Sequence, residues 1–212
     1  MGKGDNIMLN IEELLIGQNA RLRHIVRFNN SPRIKDESVA EHSYYTSFYS
    51  LVLCEVLTEF GAEIDKGKLL SKAILHDMDE SFSGDFVRMY KNATPELRDA
   101  IENTNKKLID SVFRGLFNKQ GRFEYLSKYL SLEWINCKDD SIEGEIVSFA
   151  DFLSVLSYVL HEVGSGNRSI LKYVKAMDEY LSSFNHFLIF QQYEEAKLWK
   201  NACEKILKEL YQ

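Results

Sequence analysis

His42, the dipeptide His76-Asp77 and Asp151 carry side chains that apolar surroundings do not favour, yet all lie in or beside apolar runs. His76-Asp77 closes a segment rich in Leu, Ala and Ile. Asp151 interrupts Val147-Ser148-Phe149-Ala150 and Phe152-Leu153. An ionised carboxylate in such company is unfavourable unless it is paired or holds a cation. Two imidazoles and two carboxylates can share one divalent ion and leave positions open for water and a substrate. The mixed nitrogen and oxygen set suits manganese, cobalt, iron or zinc, and magnesium less well. Taken singly, each residue also reads as a solvated helix face, a lysine partner or a polar first-turn residue. The residues alone leave both readings open.

The elements that must position these groups are helical. Apolar residues recur at steps of three and four nearly throughout, and no Asn-Gly or Asp-Gly hairpin separates alternating runs. A first helix is predicted over 7–26, with Leu15, Leu22 and Val26 on one stripe, followed by a polar loop over 29–37 broken by Pro32. Ser38-Val39-Ala40-Glu41 reads as a capping box that starts a second helix. Its apolar stripe is Tyr45, Tyr49, Val52, Val56 and Phe60, and Gly61 stops it. Asp65 opens a third helix, with Leu69, Leu70, Ala73 and Ile74 as its buried face, ending near His76. Residues 79–87 read as a loop turned at Gly84. Thr94-Pro95 caps a long helix through Leu97, Ile101, Leu108, Val112 and Leu116. Further helices are predicted over 124–134, from the Asp139-Asp140-Ser141 cap to Gly164, from Ser169, and over 188–210. The expectation is an all-α, compact multi-helix bundle: one domain over 1–212, with 168–212 a C-terminal helical extension packed on it.

Composition narrows the function classes. A net charge of -6 argues against coating nucleic acid or an anionic membrane surface, both of which need positive fields. No run approaches the roughly 20 uninterrupted apolar residues of a membrane span. Cys54, Cys137 and Cys203 are scattered and odd in number, which points to a reducing, cytoplasmic setting with the three thiols as small buried residues. The aromatic-rich segment 184–193 reads either as core or as a homodimer interface.

The ordered pattern His42, His76-Asp77, Asp151 resembles the signature of the HD-domain metal-dependent phosphohydrolases. The surrounding text is most similar to their bacterial 5′-deoxynucleotidases. Ser38-Val39-Ala40-Glu41-His42-Ser43 looks like the segment of their first histidine. His76-Asp77-Met78-Asp79-Glu80-Ser81-Phe82-Ser83-Gly84-Asp85 resembles their His-Asp-x-x-Glu-x-x-x-Gly-Asp loop. Ala150-Asp151, with Gly164-Ser165-Gly166-Asn167 downstream, resembles their last ligand helix, and Arg27-Phe28 stands where they carry Arg and an aromatic residue. The likeness covers roughly 22–167. It implies an HD-type bundle, one divalent metal held by His42, His76, Asp77 and Asp151, and hydrolysis of a nucleoside 5′-monophosphate, a deoxynucleotide in this family.

Around such a metal, Arg27 supplies a planar cation for phosphate oxygens. Glu80, three residues past Asp77, faces the same pocket on a helical turn and can orient water or protonate the leaving alkoxide. Asp85 is placed to accept from a sugar hydroxyl, and the resemblance implies a part in selecting deoxyribose. Ser43 is a candidate phosphate donor. Phe28 is a candidate contact to base or sugar, although it stands where the family carries Trp. Asp79 reads as a loop solubiliser, Arg33 and Lys35 as cations at the mouth or simply solvated, and His24, His161 and His186 as surface or core residues. Two other readings remain: an HD-type hydrolase of a triphosphate or cyclic nucleotide, and a non-catalytic nucleotide-binding module.

Overall fold

A computed structural model describes residues 9–85, 91, 93–117 and 124–211. Among them the only extended pairings are isolated, Leu9 with Phe117 and Val26 with Ser38, so the all-α expectation holds. The elements are α1 (Ile11–Ile16), a 3-10 turn (Gln18–Arg23), α2 (Val39–Glu59), α3 (Lys66–Leu75), α4 (Glu80–Ser83) and α5 (Pro95–Leu116). Then come α6 (Glu124–Ile135), α7 (Ile142–Gly164), a 3-10 turn (Arg168–Tyr173), α8 (Val174–Ser183), α9 (Leu188–Gln192) and α10 (Glu194–Leu210).

Local chemistry sets these boundaries. Ser38 and Glu41 form the predicted capping box at the start of α2. At its end Gly61 takes φ 88°, and the amides of Gly61 and Ala62 return to the carbonyls of Thr58 and Leu57, a Schellman arrangement. Asp65, Thr94 and Ser141 cap α3, α5 and α7 through their side chains. Some predicted elements break. The first helix is two pieces, because Gly17 leaves helical geometry between them, and Leu15 is exposed rather than on a buried stripe. Residues 80–83 form a helical turn, not a loop. The segment expected to be a helix from Ser169 opens as a 3-10 turn at Arg168, capped by Asn167, and Tyr193 separates α9 from α10 inside the predicted 188–210 helix.

The largest correction concerns α2. Much of its aromatic and branched stripe faces outward: Tyr45, Val52 and Phe60 are exposed, and Tyr49 and Val56 are only half-buried. The face turned inward is Val39, His42, Thr46, Ser50, Leu53, Cys54 and Leu57, small and partly polar. Small side chains let α2 lie close against α7, and that contact brings His42 to Asp151. Ile74, expected on the buried face of α3, is also exposed; Lys72 is buried instead.

Helix α7 is the central rod. Over 23 residues its sequence is apolar enough to cross a membrane by length and composition, but two thirds of that stretch is buried inside the fold. Its buried glutamates staple the layers around it. Glu143 accepts from the amide of Asp65, Glu145 from those of Leu188 and Ile189, and Glu162 from those of Ile34 and Lys35. One apolar cluster joins α2, α3 and α7 to Val174, Leu181, Phe184, Phe190 and Leu207. In the 184–193 segment Phe184, Ile189 and Phe190 are therefore core. A second cluster gathers Leu22, Val39, Met78, Ile109, Phe113 and Trp134 beneath α4 and α5.

Candidate metal centre

The donor atoms arrive from three packed helices: His42 from the first turn of α2, His76 and Asp77 from the end of α3, and Asp151 from the middle of α7. His42 Nε2 lies 3.3 Å from His76 Nε2, 3.4 Å from Asp77 Oδ2 and 3.0 Å from Asp151 Oδ1; His76 Nε2 lies 3.2 Å from Asp77 Oδ2. His42, His76 and Asp77 form a mutually close triple able to hold a metal ion. Asp151 stands outside that triple and meets it through His42.

These separations suit a shared cation. Donors about 2.1 Å from one ion stand about 3.0 Å apart at right angles and about 3.4 Å apart at tetrahedral angles. The ring orientations agree. His76 Nδ1 lies 2.8 Å from the carbonyl of Ala73, which only accepts, so that nitrogen is the donor and Nε2 is the ring atom turned to the cluster. His42 Nδ1 lies 2.9 Å from Ser154 Oγ. Burial, helped by Arg27, lowers the His42 pKa to about 4 and keeps the ring neutral, the form a metal needs.

Cations ring the donors. Burial acts to raise the pKa of Asp151, but Lys138, with Nζ 2.6 Å from Oδ2, and His42 outweigh it and hold the carboxyl well below its ordinary value. Burial opposes the charge on Lys138 as well, and Asp151 overcomes it. Arg27 is placed by a short antiparallel pairing. Its amide donates to the carbonyl of Glu37, Val39 donates to Ile25, and Arg27 Nη1 meets Glu37 Oε2 at 2.9 Å. The guanidinium is almost buried and within the field of Asp77, Asp151 and Glu80.

Glu80 is buried on α4. Its Oε1 is 3.4 Å from Lys91 Nζ, and Oε2 has no hydrogen-bond partner among the described residues. Burial first, then the charge of Asp77, pushes its pKa well above the usual carboxylate range. Ser43 Oγ is likewise buried and unpartnered. Asp85 Oδ2 accepts the Phe28 amide at 2.8 Å and so ties the 84–85 turn to Arg27-Phe28. Phe28 adopts φ 53°, uncommon for a residue with a side chain, and its ring stacks on Tyr158 at 5.0 Å.

Other sequence readings change. Asp79 is no loop solubiliser: it accepts from Asn105 at 2.6 Å and braces α4 against α5. Arg33 pairs with Asp36 and the Lys35 side chain is exposed, so neither reaches the donors. His24, His161 and His186 are exposed. Sequence reasoning missed Lys91 and Lys138. Lys138 sits in the charged string Cys137-Lys138-Asp139-Asp140, which reads as a solvated turn, and only the packing of that turn against α7 reveals its partner.

Known proteins share this architecture and text. A model of the 5′-deoxynucleotidase YfbR-like family matches residues 15–202. Over 164 residues the chain is 29% identical to a 4′-phosphooxetanocin A phosphatase from Priestia megaterium, spanning 77% of this chain and 80% of that one. Over 88 residues it is 32% identical to a 5′-deoxynucleotidase from Dictyostelium discoideum, spanning 35% of this chain and 46% of that one. The structure of an HD-domain phosphohydrolase from Listeria innocua matches with a TM-score of 0.68 over 92% of this chain and 93% of that one, at 22% identity. A protein from Pyrococcus horikoshii matches with a TM-score of 0.67 over 92% and 98%, also at 22%. At such identities the structural matches speak for the fold.

Proposed function

The chain belongs to the YfbR-like 5′-deoxynucleotidase family of HD-domain phosphohydrolases, and from that premise we propose that it cleaves deoxynucleoside 5′-monophosphates to nucleoside and phosphate. In this reading one divalent ion, manganese, cobalt, iron, zinc or magnesium, is held by His42, His76, Asp77 and Asp151. The observation that carries it is the set of donor separations between 3.0 and 3.4 Å, drawn from residues far apart in the chain.

The bound ion supplies Lewis-acid charge for a phosphoryl oxygen and lowers the pKa of water beside it. The protein's own groups do the rest. Arg27 keeps Nε and Nη2 for phosphate oxygens, because only Nη1 is engaged by Glu37. Ser43 offers a hydroxyl that now lacks a partner. Glu80, whose protonated form is favoured by burial and by the charge of Asp77, delivers a proton to the leaving 5′ alkoxide, the acid role among the two its position allows. Asp85 and Phe28 border the sugar, with Asp85 keeping Oδ1 beyond its bond to Phe28.

A monophosphate is favoured over a triphosphate, because Arg33 and Lys35, the further cations a polyphosphate tail would call for, are respectively paired with Asp36 and exposed. The phosphatase and 5′-deoxynucleotidase names of the two relatives support the same choice. A cytoplasmic location and a homodimer belong to this reading too, the latter supported by the exposed Tyr44, Tyr45, Phe48 and Val52 of α2.

A phosphate-release screen over nucleoside mono-, tri- and cyclic phosphates with added manganese(II) tests the assignment. Deoxynucleoside monophosphates should be turned over, and His76→Ala should lose at least about 10²-fold in rate while remaining folded by circular dichroism. Full activity in that variant would reject the metal set.

A further inference from the structure

Lys138 projects from the turn between α6 and α7, and that turn is built rather than loose. The fully buried Lys72 donates from Nζ to the carbonyl of Asn136, to Asp139 Oδ1 at 2.6 Å and to Ser141 Oγ at 3.2 Å, so it ties together residues on both sides of Lys138. From this platform Lys138 Nζ reaches Asp151 Oδ2 at 2.6 Å, while Oδ1 of the same carboxylate faces His42 Nε2 at 3.0 Å. The ammonium therefore stands one carboxylate away from the donor cluster. An ammonium has three N–H donors. One is engaged by Asp151, and the side chain as a whole is 31% exposed, so Lys138 is not sealed in the core.

On the reading above, with a divalent ion at the cluster, we propose that Lys138 is a substrate-binding residue whose ammonium takes a non-bridging oxygen of the substrate's phosphoryl group. A divalent ion balances the two negative charges of Asp77 and Asp151. The positive charge of Lys138 is then no longer cancelled by Asp151 and is free to meet a phosphate dianion. The other cations are differently placed. Arg27 stays bound to the buried Glu37, and Lys91 lies on Glu80 at the α4 side. Lys138 thus meets the phosphoryl group beside Asp151, and Arg27, within the field of Asp77 and Asp151, is the second cation for it.

The opposing interpretation makes Lys138 only a brace for Asp151, and the two differ in what they predict for metal uptake. Removing a phosphate-binding cation also removes a charge that opposes the metal ion, so metal affinity should hold or rise. Removing a brace should lower it. The experiment is isothermal titration calorimetry on wild type, Lys138→Met and Lys138→Arg, first with manganese(II), then with inorganic phosphate added to the loaded proteins. The expected result is manganese uptake in Lys138→Met at least as tight as in wild type, with phosphate binding weakened tenfold or more. Lys138→Arg, which keeps the charge, should recover phosphate binding to within about fivefold of wild type. Phosphate binding within twofold of wild type in Lys138→Met would overturn the proposal, and so would a loss of manganese uptake in that variant. Failure of the wild-type protein to take up manganese would instead overturn the metal reading on which this one rests.

Discussion

Glu80 illustrates how position sets chemistry at the scale of a single residue. A carboxyl exposed on a loop is ionised at neutral pH and cannot donate a proton. On α4 the same group is buried with one oxygen unpartnered, and it feels the charge of Asp77, so its protonated form persists to higher pH. Glu80→Gln keeps the shape and removes the transferable proton. Its kcat should fall by about 10²-fold or more, with manganese uptake unchanged by calorimetry. The sign for the wild type follows from the acid role: kcat declines as pH rises through the raised pKa of Glu80. Undiminished kcat in the variant would take Glu80 out of the reaction. Phe28 carries a different lesson, since its φ of 53° is sustained by the Asp85 carboxylate and the Tyr158 ring together.

Helices do the positioning at the next scale. The capping box fixes where α2 begins, and hence where His42 falls in its first turn; the end of α3 fixes His76-Asp77. Helix α7 presents Asp151 at mid-length and, eleven residues on, Glu162, whose two oxygens hold the amides of Ile34 and Lys35. Burial would raise the pKa of Glu162, but its bonds to Asn167 and to those amides outweigh burial and lower it. A depressed folded pKa stabilises the fold above the unfolded value near 4.5, and that stabilisation is lost as pH falls through the folded value. Glu162→Gln should thus be less stable by about 1–3 kcal/mol at pH 7 in chemical denaturation, with the gap narrowing below pH 4.5. A gap that does not change with pH would mean that charge has no part in holding the 31–37 loop. Caps and glycine stops were legible because each acts within a few residues, and the ordered His, His-Asp and Asp text because it resembles that of a known family. The inward face of α2 was not, because its small polar side chains look solvent-facing until α7 is laid against them. Lys138, Lys91 and the stapling glutamates were hidden for the same reason, since their partners are distant in sequence.

Across the whole molecule, the donor cluster joins α2, α3 and α7, three helices of the larger apolar cluster. A cation bound only by the folded chain stabilises all three at once. At a free manganese(II) concentration about 100-fold above its dissociation constant, linkage gives about 2.7 kcal/mol. For a chain of this length that is a rise in Tm of about 5–10 °C, readable by differential scanning calorimetry before and after chelation. Absence of any shift would mean that the three helices do not share an ion. The most direct test of the central claim is phosphate release from a deoxynucleoside 5′-monophosphate by protein stripped with a chelator, then titrated with manganese(II). The account predicts negligible release from the stripped protein and recovery that saturates at one ion per chain. Undiminished release without any divalent ion would contradict it.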